Sequence, residues 1–253
     1  MFGRSKTSRF SFECTAHTEA SNRLLFVVEQ GEPFVALMAA AGSGKSRVLS
    51  NVRDECSRNG MSAVLVKCAA LDEISLLGRI AAGLSISVDN RATRPTLMTL
   101  IRDELAGRFV CGRQTIVLLD DFQKSSDDLS GVIQFLSAVN EQTDGSICVI
   151  AGCDGVLPPG LASLSALRVQ LQPLAEADAQ RFTEELLGEL GVNSGLVNED
   201  AYKRIITFGC GYPARLTRIC ELAALAVEAS PGLQLDSQII DELTGETLLS
   251  RAG

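Results

Sequence analysis

Five short, almost wholly apolar runs, separated by stretches of helical periodicity, constrain this chain most. They are Phe34–Met38, Ala63–Cys68, Thr115–Leu119, Ile147–Ala151 and Arg168–Leu171. Runs without polar alternation suit strands buried on both faces, as in a parallel sheet covered by helices. Between them apolar residues recur at helical spacing: Val48, Leu49, Val52 and Cys56, then Ile74, Leu77, Ile80 and Leu84. Leu97, Leu100, Ile101 and Leu105 form a third set, and Leu129, Val132, Ile133 and Leu136 a fourth. The alternation predicts an α/β core around a five-stranded parallel sheet.

After Pro173 the strand pattern stops. Helical stretches are expected near 175–190, 199–208, 213–229 and 237–246, with Asn198 and Asp236 as N-caps and Pro231–Gly232 as a break. The expected organisation is a tail over 1–17, an α/β core over 18–173 and a small all-helical module over 174–253. At 253 residues and 46% hydrophobic content the chain can bury such a core, and it shows no internal repeat. Its longest apolar stretch, Pro33–Ala41, is too short to span a membrane. The basic start MFGRSKTSRF is followed by no apolar segment of a signal peptide, so a cytoplasmic location is expected.

The eight cysteines form no C-x-x-C pair, and His17 is the single histidine, so a zinc site is not expected. Most cysteines lie in apolar runs and read as reduced core residues. A net charge of −8 argues against a broad nucleic-acid footprint. The exception is Arg4, Lys6 and Arg9 among Phe2 and Phe10. That segment reads as a solvated tail, with an arm for DNA or anionic lipid as the alternative.

The first predicted strand runs into AAAGSGKSR, residues 39–47, which opens a predicted helix. Strand, glycine-rich turn and helix carrying Lys-Ser is the context of a phosphate-binding loop, G-x-x-x-x-G-K-[ST], here with Ala39 for the first glycine. Glycines let backbone N–H groups curl around an anion, and the helix start adds its positive dipole end. Ala39, Ala40, Ala41, Gly42, Ser43, Gly44, Lys45, Ser46 and Arg47 are the expected nucleotide-contacting set. Lys45 would reach the β- and γ-phosphates and Ser46 would ligate Mg²⁺. Alanine suits position 39 provided φ stays negative. Downstream, TIVLLDDF ends an apolar strand in two carboxylates. Asp120 would hold Mg²⁺, and Asp121 stands where a base polarising the attacking water would stand.

On these motifs the chain resembles AAA+ ATPases, and within them the ExeA (general secretion pathway protein A) type. The likeness extends from TEASNRLLFVVEQGEPFVAL through LLDDFQ, in place of the family's LIDEAQ, and ICVIAGCDG at the sensor strand. It continues through VQLQPLAEADAQRF and GCGYPARLTRICELAALA, which is similar to a lid helix GGxPRxINxLCDxALL. The resemblance implies a P-loop NTPase core with a helical lid, ATP and Mg²⁺ as ligands, and a homo-oligomer. Asp121 replaces the usual Glu, and a shift of about 1 Å there can cost about 10²-fold in rate. The family's sensor glutamine falls on Cys153. The lid arginine falls on Ala214, with Arg215 one place later. Of two arginines before the lid, Leu164 takes one position and Arg168 keeps the other, as the candidate to act across a subunit interface.

Phosphate and Mg²⁺ binding are therefore expected, and rapid turnover is not. The leading expectation is an ATPase that remodels an oligomer or partner, in a secretion- or pilus-type assembly as the resemblance implies. The alternatives are a nucleotide-dependent DNA-binding regulator of the transposition target-selector (TniB and MuB) type, and a nucleotide-sensing scaffold with negligible hydrolysis. DNA is the less favoured partner. Arg204, Arg215 and Arg218 would supply its phosphate contacts.

Overall fold

A computed structural model describes residues 10, 12–89, 91–125, 128–155, 157, 159–162, 164 and 167–249. The basic residues Arg4, Lys6 and Arg9, expected in a tail, lie outside them. By contacts the described chain divides into two units. One comprises His17–Ala41 with Lys45–Leu171, and the other the described residues up to Ala16, Gly42–Gly44 and the chain from Gln172.

In the first unit α1 (Thr15–Glu29, its first residues excepted) precedes β1 (Phe34–Met38), α2 (Lys45–Arg58), β2 (Ser62–Lys67), α3 (Glu73–Gly83) and α4 (Arg94–Val110). There follow β3 (Thr115–Asp120), α5 (Ser130–Gln142), β4 (Ile147–Cys153), the short α6 (Pro159–Ala162) and β5 (Leu167–Gln170). The strands form one sheet in the order β2-β3-β4-β1-β5, and every pairing is parallel. The five expected strands are all present, with ends moved by one or two residues. β3 gains Asp120 and β4 gains Gly152 and Cys153, because their neighbours extend the ladder beyond the apolar run.

Every residue of β3 and β4 is buried, as their unbroken apolar sequence requires. On the edge strand β5 Val169 alone is buried. Val48, Leu49, Val52 and Cys56 on α2 turn one stripe into the core. Each fully buried aliphatic side chain of this kind contributes about 1.5–3 kcal/mol. Leu49 comes so close to β4 that a Cβ on Gly152 would stand 3.2 Å from its Cδ1. Asp72 caps α3 by accepting the Ser75 N–H at 2.7 Å.

The second unit holds α7 (Glu176–Glu189), α8 (Glu199–Gly209), α9 (Pro213–Ala229) and α10 (Ser237–Leu249). Leu186, Ile205, Leu216, Cys220 and Leu235 form part of its own buried core. Asp236 caps α10 through the Ile239 N–H at 2.9 Å. Asn198 stands at the cap position of α8 but makes no side-chain cap bond.

Of the ten residues read as a solvated tail, Phe10 alone is described, and it is packed against the helical unit, as are Phe12 and Cys14 after it. Phe10 and Phe12 meet the Phe182 ring edge-on at 5.3 and 5.2 Å, and Cys14 is buried in the helical core. Arg181 sits 5.3 Å from the Phe12 centroid and donates to the Glu13 carbonyl. Apolar burial of two rings outweighs the cost of ordering a short polar-flanked segment.

Candidate nucleotide site

The sheet's strand order sets where a ligand can sit. The chain leaves β1 to build β2, β3 and β4 on one side and returns to add β5 on the other. Ligands of open α/β sheets bind outside the carboxyl ends of the strands at such a reversal. The carboxyl end of β1 carries the Ala39–Ser46 loop, flanked by the ends of β4 and β5: Ala39 N–H donates to the Cys153 carbonyl at 3.1 Å and Leu171 N–H to the Met38 carbonyl at 2.9 Å.

Ala39 is buried and prolongs the ladder, and it is absent from the non-glycine residues with positive φ. The position therefore does not need glycine. Gly42 and Gly44 do, with φ of 79° and 101°. Ser43 is buried, while Ala40, Ala41, Gly42, Ser46 and Arg47 are exposed. Lys45, the first residue of α2, is 6% exposed, and its Nζ donates to the Ala39 carbonyl at 3.0 Å and the Ala40 carbonyl at 3.2 Å. It also forms an ion pair with Asp154 Oδ1.

Asp120 ends β3, next in the sheet to β4. It is 2% exposed, and its Oδ1 accepts the Asp121 N–H at 3.0 Å. On the far side Cys68 N–H donates to its carbonyl at 2.8 Å. Burial pushes the Cys68 thiol up to about 12, and the charges of Asp120 and Asp121 reinforce the shift. Burial likewise pushes Cys153 up to about 11, against the opposing pull of Lys45. Both thiols are thus neutral at physiological pH, and Cys153 offers only a weak S–H donor.

Asp121 lies beyond β3 with a left-handed backbone, φ 52° and ψ 38°, and pairs with Lys124 Nζ at 2.7 Å. That bond, then the Asp121 charge and more weakly those of Asp154 and Asp120, raises the Lys124 pKa. Next to them Gln123 has both side-chain amide atoms buried without a hydrogen-bond partner, a state expected only where a ligand or water supplies one. Arg168 is exposed on β5. In the helical unit Arg215 is exposed, with its guanidinium 5.0 Å from the Tyr212 ring.

The structure brings Lys45, Asp120, Asp121 and Cys153 to the carboxyl ends of the adjacent strands β3, β4 and β1. Asp154, Lys124 and Gln123 join them, although sequence reasoning passed over all three. The signal for Asp154 was a carboxylate directly after an apolar strand, the same signal that marked Asp120.

Among the described residues no group of three or more His, Cys, Asp or Glu could hold a metal alone. Mg²⁺ bound with nucleotide needs no such cage, since phosphate oxygens and waters complete its shell. The buried Asp120 carboxylate and the Ser46 hydroxyl are hard oxygen donors of the kind this cation prefers.

A family model described as an AAA domain matches residues 28–157. General secretion pathway protein A of Aeromonas hydrophila is 25% identical over 239 residues, covering 90% of this chain and 43% of the relative. The chain therefore spans less than half of that relative's length. Among solved structures, Cdc6p of Pyrobaculum aerophilum aligns with TM-score 0.69 at 15% identity, covering 92% of this chain and 68% of that one. The Drosophila ORC bound to DNA gives 0.67 at 15% identity, covering 94% and 62%. The RuvB Holliday junction branch migration motor of Thermotoga maritima gives 0.57 at 14%, covering 91% and 67%. At such identities the three share the fold.

Proposed function

We propose a function from one premise: the chain belongs to the AAA domain family, whose members bind nucleotide, generally with Mg²⁺. It binds ATP at the Ala39–Arg47 loop and hydrolyses it slowly to ADP and phosphate. The observation that carries this reading is that Lys45, which opens α2 after β1, and the buried Asp120 lie at the carboxyl ends of β1 and β3, the two strands that flank β4. Lys45 holds the β- and γ-phosphates, while Ser46 and Asp120 hold Mg²⁺. The cation, when bound, offsets charge that develops on the transferred phosphoryl group. Asp121 orients the attacking water.

Slow turnover follows from the same residues. Asp121 is engaged by Lys124, and the thiol of Cys153 is a poor substitute for an amide beside a γ-phosphate. The exposed Arg168, on an edge strand, is available to complete the site of a neighbouring copy in a homo-oligomer. The name of the Aeromonas relative, a general secretion pathway protein, favours a protein partner in a secretion-type assembly.

Phosphate release by the wild type and Lys45→Ala, with mass followed under ATP, ADP or no nucleotide, tests this. A wild-type rate above that of Lys45→Ala and an ATP-dependent mass are expected. Equal background rates in both would discard hydrolysis. ATP-dependent mass without hydrolysis would establish the second reading, a nucleotide-sensing scaffold, which the Asp121–Lys124 pair favours. The DNA-binding reading is weaker, because Arg204 is paired with Asp241 and stacked on Phe208.

A further inference from the structure

A lysine ammonium has three N–H donors. At Lys45 all three find acceptors within the chain: the Ala39 and Ala40 carbonyls and the Asp154 carboxylate. A phosphate that binds Lys45 must displace one of them. The two carbonyls belong to the loop backbone, and Ala39 is held to β4 through the Cys153 carbonyl. Asp154 is attached differently. It follows β4 directly, its side chain is 27% exposed, and Gly155 behind it has φ 76°. Rotation about its side-chain bonds can carry the carboxylate into water without disturbing the loop.

We propose that Asp154 is a built-in competitor for the nucleotide's phosphates, holding the Lys45 ammonium until a phosphate takes its place. This rests on the reading of Lys45 as a phosphate ligand. The pairing has a physical cause: an ammonium this deeply buried is costly without a counter-charge, and Asp154 supplies one. Nucleotide binding then exchanges one anion for another rather than filling an unused charge. The displaced carboxylate stays near the phosphates, in a site that already holds Asp120 and Asp121. Free ATP, with its full negative charge, suffers more from this than ATP carrying Mg²⁺. Asp154 thereby lowers affinity overall and biases the site toward the Mg²⁺ complex.

The test is titration of ATP, with Mg²⁺ and with EDTA, against wild type, Asp154→Asn, Asp154→Ala and Lys45→Ala, with thermal melts to establish folding. Both Asp154 variants are expected to bind free ATP about tenfold or more tightly than wild type, the scale of one charge-assisted hydrogen bond. The preference for the Mg²⁺ complex should shrink in both. Unchanged or weaker binding by the folded variants, with Lys45→Ala losing affinity, overturns the role of Asp154 and leaves the phosphate site standing. Undiminished binding by Lys45→Ala, or no binding by any protein, removes the phosphate site and the competitor together. Binding by the Asp154 variants where wild type shows none supports the competitor outright.

Discussion

Asp121 Oδ1 accepts a hydrogen bond from Lys124 Nζ at 2.7 Å, on a turn where Asp121 itself adopts φ 52°. A carboxylate oxygen so engaged is less free to accept a hydrogen bond from an attacking water. Lys124→Met is expected to raise phosphate release severalfold with ATP affinity unchanged. Asp121→Glu should keep activity and raise it, whereas Asp121→Asn should lower the rate by about 10²-fold. A phosphate-release assay under saturating ATP measures all three; a large loss in Asp121→Glu would show that the shorter side chain is placed for its own geometry.

The same pair sets a pH expectation. The Lys124 pKa is raised above its ordinary 10.5, chiefly by the bond to Asp121. A lysine raised on folding contributes stability that is fully present below its unfolded value and lost as pH rises through the folded one. Lys124 therefore stays charged from neutral pH up to its ordinary 10.5, and a change in its own charge cannot account for any change in rate across that range. A rate profile in which the gain from Lys124→Met varies strongly with pH in that window would contradict this.

The phosphate loop makes a contrasting prediction about two small residues. Gly42→Ala and Gly44→Ala force a Cβ into left-handed backbone, costing about 1–2 kcal/mol each. A Cβ on Gly42 would also stand 2.9 Å from the Ala214 Cβ, within the same contact unit. ATP affinity should fall in both variants. Ala39→Gly should retain it, with stability lowered by about 0.5–1 kcal/mol from the added chain freedom. Titration and thermal melts separate the two effects.

Phe182→Ala removes the ring against which Phe10 and Phe12 pack edge-on. A loss of about 3–5 kcal/mol is expected for a buried phenylalanine. Limited proteolysis is expected to cut near Glu13 faster in Phe182→Ala than in the wild type.

Burial also sorts the thiols. Cys56, Cys68, Cys148, Cys153 and Cys220 are raised to about 11 or 12 by burial above all, and so stay protonated and shielded. Cys111 and Cys210 are exposed. Maleimide at neutral pH should add to two cysteines in the native protein and to eight after denaturation, counted by mass.

By itself the sequence determined the strands, the helical stretches and the loop, because each is written in neighbouring residues. Unbroken apolar runs demand two covered faces, and Gly-Ser-Gly-Lys-Ser after a strand can turn only one way into a helix. Asp120 was readable for the same reason, as a carboxylate ending such a run. Tertiary structure alone decided the strand order, and with it which strand ends lie side by side. Lys45 and Asp154 are 109 positions apart and meet because β1 lies beside β4. Phe12 finds Phe182 across a comparable gap, and no local pattern marks either partner. Even Lys124, three residues from Asp121, needed the left-handed turn before its charge could reach the carboxylate. Local propensity specifies elements; only packing of distant segments specifies which charges neutralise one another.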